Sequence, residues 1–268
     1  MKKQFSTTHL LLVVLTLSAL LLTACGGAGG GGGSPTAAPV NTTSISGGAE
    51  PTAVPPTGGM SISKDILLDP ANATDADSLS VLGYIYEGLF KVQGSTVVPV
   101  LAESYTVSND GLDYIITLRP NATFHDGSPV NADAVIANFN RWFDPQDPAH
   151  GSGDFAAWAS SFGGFKGETG EAGQPKSTFD GAEKVDDYTI LIHLTTPDNQ
   201  FIFKLNNPAF FIVSPAAFGA DYFGTSLGTA AGTGPYKLAS WTDSGLTLEA
   251  FAGYWGKAVT GTLGFQFK

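Results

Sequence analysis

Apolar residues mass at the front of the chain and later break into short periodic runs. Lys2 and Lys3 precede an apolar stretch over residues 10–24, and Cys25 follows it. That layout is a secretory signal. The stretch is 15 residues long, whereas a membrane-spanning helix needs about 20, so removal is expected instead of a permanent span. Residues 26–59 are almost entirely Gly, Ser, Thr, Pro and Ala, with glycine throughout 29–33. Such a composition buries too little apolar surface to offset the entropy of ordering, and a flexible leash is expected.

Beyond residue 60 the apolar positions become periodic. Leu79, Leu82, Ile85, Tyr86 and Leu89 recur at helical spacing across 78–90 and predict an amphipathic helix with a core-facing stripe. Residues 105–108 and 112–119 read as extended runs around Asn109-Asp110-Gly111, a hairpin turn, with Leu112, Tyr114, Ile116 and Leu118 on one sheet face. After the turn Phe124-His125-Asp126-Gly127-Ser128-Pro129, Asn131 can cap a helix carrying Asp133 in its first turn. Its apolar face holds Val135, Ile136, Phe139, Trp142 and Phe143, and Asp144-Pro145 ends it. Residues 163–181 read as an exposed loop, 187–194 as a strand, 236–241 and 246–251 as a second hairpin, and 263–268 as a last strand. Strands alternate irregularly with helices, so the class is α/β or α+β.

Composition narrows the function. Hydrophobic residues make up 43% and charged residues 14%, which describes a packed globular protein. Without Lys2 and Lys3 there are 11 basic against 24 acidic side chains, a net charge of −13 that repels phosphate backbones, so no nucleic-acid partner is expected. Cys25 is the only cysteine, which leaves none for a disulfide or a cysteine-bearing zinc site. His125, His150 and His193 are scattered, and structural or surface roles are expected for them; neither a metal site nor a cofactor is indicated. Asp186-Asp187 sits before a strand as a solvated turn, so no catalytic constellation is expected. Gly232-Thr233-Gly234-Pro235-Tyr236 lacks the lysine of a nucleotide loop; its glycines suit close approach of backbone to another backbone or to a ligand.

These segments, in order, resemble a known family. Leu22-Thr23-Ala24-Cys25 resembles a lipobox, which implies lipid on the Cys25 sulfur and cleavage before it. Leu68-Asp69-Pro70, Ile85-Tyr86-Glu87-Gly88-Leu89 and the run 98–104 resemble the extracellular solute-binding proteins of family 5, peptide- and nickel-binding components of ABC importers. So do 108–111, Leu118-Arg119, 124–130, Phe139-Asn140-Arg141, 185–189, 232–236 and Gly253-Tyr254-Trp255-Gly256.

The resemblance implies a periplasmic-binding-protein-like fold of type II: two lobes that close on an oligopeptide or similar solute and present it to permease subunits. It implies a signal peptide over 1–24, the lipidated cysteine and linker over 25–59, a sheet subdomain of lobe one over 60–91 and 183–268, and an inserted α+β subdomain over 92–182. It also implies that the second lobe is missing from these 268 residues. The residues it offers for ligand contact are Phe155, Trp158, Gly234 and Tyr236, with core packing the competing role for the three aromatics. The expected place is the outer face of the cytoplasmic membrane or the periplasm. A rival expectation is a surface interaction module, an adhesin or chaperone-like lipoprotein without transport.

Overall fold

The computed structural model describes residues 59–219 and 223–268. The signal, Cys25 and the linker up to residue 58 lie outside the described residues. Among the described residues, ten strands form three sheets. The first is mixed, in the order β1-β10-β9-β8, from Met60–Ile62, Thr262–Phe267, Gly245–Ala250 and Tyr236–Thr242. The second is the hairpin of β2 (Phe90–Gln93) and β3 (Thr96–Pro99). The third is antiparallel, in the order β4-β5-β7-β6, from Ala102–Val107, Asp113–Leu118, Thr189–Leu194 and Phe179–Asp186.

Helix α1 (Ala76–Ile85) starts where the Asp75 carboxylate accepts from the Ser78 amide at 2.8 Å. The pattern predicted helix as far as residue 90. The chain instead turns extended at Tyr86 (φ −124°), because Glu87 bridges to Ile212 as an isolated strand pair. Leu89 still reaches a core, from outside the helix. Helix α2 (Ala132–Phe143) follows its expectation: Asn131 accepts from the Ala134 amide at 2.9 Å, and Val135, Phe139, Trp142 and Phe143 are buried. Helix α3 (Ala156–Phe162) is short and begins after Phe155, the only non-glycine residue at positive φ among the described residues. Two single-turn helices follow, α4 (Phe201–Lys204) and α5 (Pro215–Phe218).

Side chains sort into two cores. One lies between α2, α3 and the third sheet, built on Phe139, Trp142, Trp158, Phe162, Phe179 and Phe210. The other lies between α1 and the first sheet, built on Val81, Leu82, Ile85, Leu246, Leu248 and Phe265. The join expected at 182–183 falls inside β6. β7 pairs with both β5 and β6, and the first core extends to Ile212, so the chain returns to the α1 side at about Val213. β6 was not expected because only Phe179 of its eight residues is buried, so no alternation marks it.

The two cores are fastened by polar contacts between motifs far apart in sequence. Arg141 on α2 donates from both terminal nitrogens to Asp69, at 3.0 and 2.6 Å, and its Nε donates to the Ala149 carbonyl. Asn138, fully buried, donates to the Val213 carbonyl at 2.8 Å and accepts from the Val213 amide at 3.0 Å. A buried ion pair of this geometry is costly to break from one side, by about 3–5 kcal/mol, because it leaves a charge without water or partner.

Candidate functional site

The glycine-rich segment 232–236 lies against the end of α1. The Gly234 amide donates to the Ile85 carbonyl at 2.9 Å. A Cβ on Gly232 would collide with the Ile85 carbonyl oxygen and Tyr86 Cδ1, and one on Gly234 would meet the Tyr84 carbonyl oxygen at 2.5 Å. Two backbones touch here because neither glycine carries a side chain. The expected close approach is to backbone.

His125 pins the same segment from the other side. Its Nε2 lies 2.9 Å from the Gly234 carbonyl oxygen, which can only accept, so Nε2 carries the proton. The Gly232 amide donates to Nδ1 at 3.3 Å, and the His125 amide donates to the Gly232 carbonyl. A ring held this way is neutral. Burial drives its pKa down to about 4, with the Gly234 bond opposing and Lys237 assisting. Beside it, burial pushes the Asp126 carboxyl up, but donation from Ser128 and Ser214 outweighs that and holds it below the usual range. His125, Asp126, Lys237 and four alanines line an open groove of about 450 Å³.

Glu87 is the third fastening. Its Oε2 accepts from the Thr233 hydroxyl at 2.9 Å and the Trp255 indole at 2.7 Å, and its Oε1 accepts from the Tyr254 hydroxyl at 2.9 Å. Burial raises its pKa and these three neutral donors partly offset the rise. Arg119 lies over the Trp255 ring at 4.4 Å. The motifs around residues 87, 119, 125, 233 and 255 thus converge on one junction between the two cores.

The four residues offered for ligand contact lie in two places. Gly234 and Tyr236 belong to the junction; the Tyr236 ring is fully buried, edge-on to Tyr84 at 6.0 Å. Phe155 and Trp158 lie in the aromatic core, each 1% exposed. Phe155 stacks on His150 at 4.1 Å, and Trp158 donates to the Gly164 carbonyl at 3.2 Å while packing on Phe162 at 4.5 Å. Neither ring presents a face to solvent in this chain. Glu87 and Arg141 went unassigned at the sequence level because one glutamate and one arginine carry no periodic signal; only their places inside Tyr-Glu-Gly and Phe-Asn-Arg marked them. Among the described residues, no group of three or more His, Cys, Asp or Glu could hold a metal, and no helix is long and apolar enough to cross a membrane.

Comparison with known proteins agrees with this arrangement. The family model described as bacterial extracellular solute-binding proteins, family 5 Middle, matches residues 96–263. Glutathione-binding protein GsiB of Pectobacterium atrosepticum is 36% identical over 191 residues, which are 70% of this chain and 33% of that protein. The chain spans about a third of the length of the curated relatives it matches. Among solved structures, HbpA2 from Haemophilus parasuis superposes with a TM-score of 0.66 at 29% identity, covering 78% of this chain and 42% of that one. The PBP AgaA in complex with agropinic acid, from A.tumefacien R10, gives a TM-score of 0.61 at 26% identity, covering 79% and 40%.

Proposed function

The chain belongs to the bacterial extracellular solute-binding proteins of family 5, and we propose that it forms one lobe of an ABC importer's receptor, which captures a peptide-class solute outside the cytoplasmic membrane. Glutathione, itself a tripeptide, is the first solute to try, because the relatives that align at 36% identity are glutathione-binding proteins. The observation that carries the reading is the fastened junction. A receptor wall must keep its shape while the ligand is enclosed, and here Glu87, His125 and the Asp69–Arg141 pair hold two cores as one body.

In this reading the segment 232–236 shapes the wall through its backbone, with Gly234 and Tyr236 setting its position. Phe155 and Trp158 take part from behind, as the packing that keeps the inserted unit rigid. The other wall comes from a second lobe, and closure of the two tells a permease that the site is filled. Lipid on Cys25 tethers the protein to the outer face of the membrane through the linker 26–59.

Two experiments test this. Cells lacking the gene should lose most uptake of labelled glutathione or of labelled di- and tripeptides; unchanged uptake of all of them contradicts the transport role and favours a surface interaction module. Cys25→Ser should move the protein from the membrane fraction to the soluble one, and continued membrane association contradicts the lipid anchor.

A further inference from the structure

A groove of about 270 Å³ opens at the end of the third sheet, between β4, β5 and the start of α4. Tyr105, Tyr114, Pro197 and Phe203 form its walls, and Val107 and Asn199 complete the lining. Val107 is 43% exposed and Phe203 38%, two of the five exposed large apolar side chains among the described residues, and here they stand together. Contacts beneath hold the shape. Tyr114 donates from its hydroxyl to the Asp198 carbonyl at 2.7 Å and lies 4.8 Å from Phe201. Tyr105 is edge-on to Phe90 at 5.5 Å. Pro197 packs so closely on Gly111 that a Cβ there would lie 3.2 Å from it.

Three features of the groove name its occupant. Aromatic and prolyl walls suit proline, which fixes its own φ and gives up little entropy on binding. An extended proline-bearing backbone has no internal hydrogen bonds and turns its carbonyls outward, in need of donors. Asn199 supplies one: its Oδ1 accepts from the Gln200 side chain at 3.4 Å, which leaves its amide nitrogen to donate.

The third feature is charge. Asp198 accepts from Lys204 at 2.5 Å, and Asp113 is held by His193 at 2.7 Å. Asp110, in the turn just before the lining Gly111, has neutral partners instead, the Ser108 hydroxyl at 2.5 Å and the Leu112 amide at 3.2 Å. These bonds hold its carboxyl below the usual range, so a negative charge stands beside the aromatic walls. A chain of net charge −11 draws cationic partners toward that charge. We propose that this groove docks a basic, proline-bearing segment of another protein, with its prolines against Tyr105 and Phe203 and a Lys or Arg against Asp110.

The probe is a synthetic peptide, acetylated and amidated Arg-Ala-Ala-Pro-Pro-Ala-Pro, titrated into the protein labelled with 3-fluorotyrosine. Fluorine NMR reads the Tyr105 resonance, assigned by Tyr105→Phe. The resonance should move saturably, half-way below about 1 mM. Replacing the three prolines of the peptide with alanine should weaken binding at least about tenfold, and so should Phe203→Ser, which changes an exposed side chain and spares the core. Replacing the arginine with glutamate should weaken it about two- to fivefold at low salt. That preference should disappear in Asp110→Asn, whose amide oxygen still accepts from Ser108 and Leu112. A resonance unmoved at several millimolar peptide would overturn the proposal, as would equal binding of the all-alanine peptide or of the glutamate peptide. A resonance that instead moves with protein concentration alone would give the groove to a second copy of this chain and overturn it too.

Discussion

The aromatic core and the glycine junction hold the same lobe together by opposite means. In the core, Trp142, Trp158, Phe139, Phe162 and Phe179 fill space with side chains, ring against ring at 4.5 to 6.3 Å. At the junction, Gly232 and Gly234 bring backbone against the end of α1 and leave no space to fill. The first arrangement loses stability in proportion to what is removed. The second fails when anything is added.

Four expectations probe that contrast. Gly232→Ala, the smallest possible addition, should cost the most, above about 4 kcal/mol, because a backbone carbonyl cannot move aside as a side chain would. Chemical denaturation should show no cooperative transition or a far lower midpoint; a loss under about 1 kcal/mol would mean that the junction yields like a core. Trp158→Ala removes an indole from the other region and should cost about 3–5 kcal/mol, with Trp158→Phe recovering a good part, as a space-filling contact allows.

Acid separates the regions next. His125 has its folded pKa near 4 against an ordinary 6.5, so the unfolded chain binds the proton first and stability falls as the pH drops through that window. The loss attributable to His125 is about 3 kcal/mol, and it should vanish in His125→Asn when denaturation is followed from pH 7 to pH 4. Glu87 runs the other way: its raised pKa means that the folded state takes up the proton more readily, which favours folding as the pH falls through that pKa and is lost above it. Glu87→Gln removes that gain, so its stability should fall more steeply toward acid than the parent's. Smallest is Asn131→Ala, which removes one helix cap from the aromatic unit and should cost about 1 kcal/mol in the same assay.

How much of this was legible in sequence follows the same division. Side-chain regularities were readable: Val135, Phe139, Trp142 and Phe143 announced α2, Asn131 its cap, and Ile190, Ile192 and Leu194 the buried face of β7. Elements set by tertiary pairing were not. β6 carries one buried residue and no alternation, and α1 stops at Ile85 because Glu87 pairs with Ile212, more than a hundred residues away. Neither feature is visible as a periodic pattern along the chain. At the junction, the glycines of 232–234 signalled a close approach but not its partner, since neither Ile85 nor His125 advertises a contact with residues so distant. Phe155 and Trp158 could have been wall or core by composition, and their 1% exposure places both side chains inside.

The role as one wall of a solute receptor is tested most directly by calorimetry. Glutathione and a mixed di- and tripeptide pool should be titrated into this 268-residue chain, and into the same chain continued through the remaining two-thirds of a glutathione-binding relative. The account predicts no measurable heat of binding for the chain alone and saturable binding for the extended protein. Tight binding by the chain alone would contradict the one-wall account, and an extended, folded protein that binds none of these solutes would contradict the receptor role.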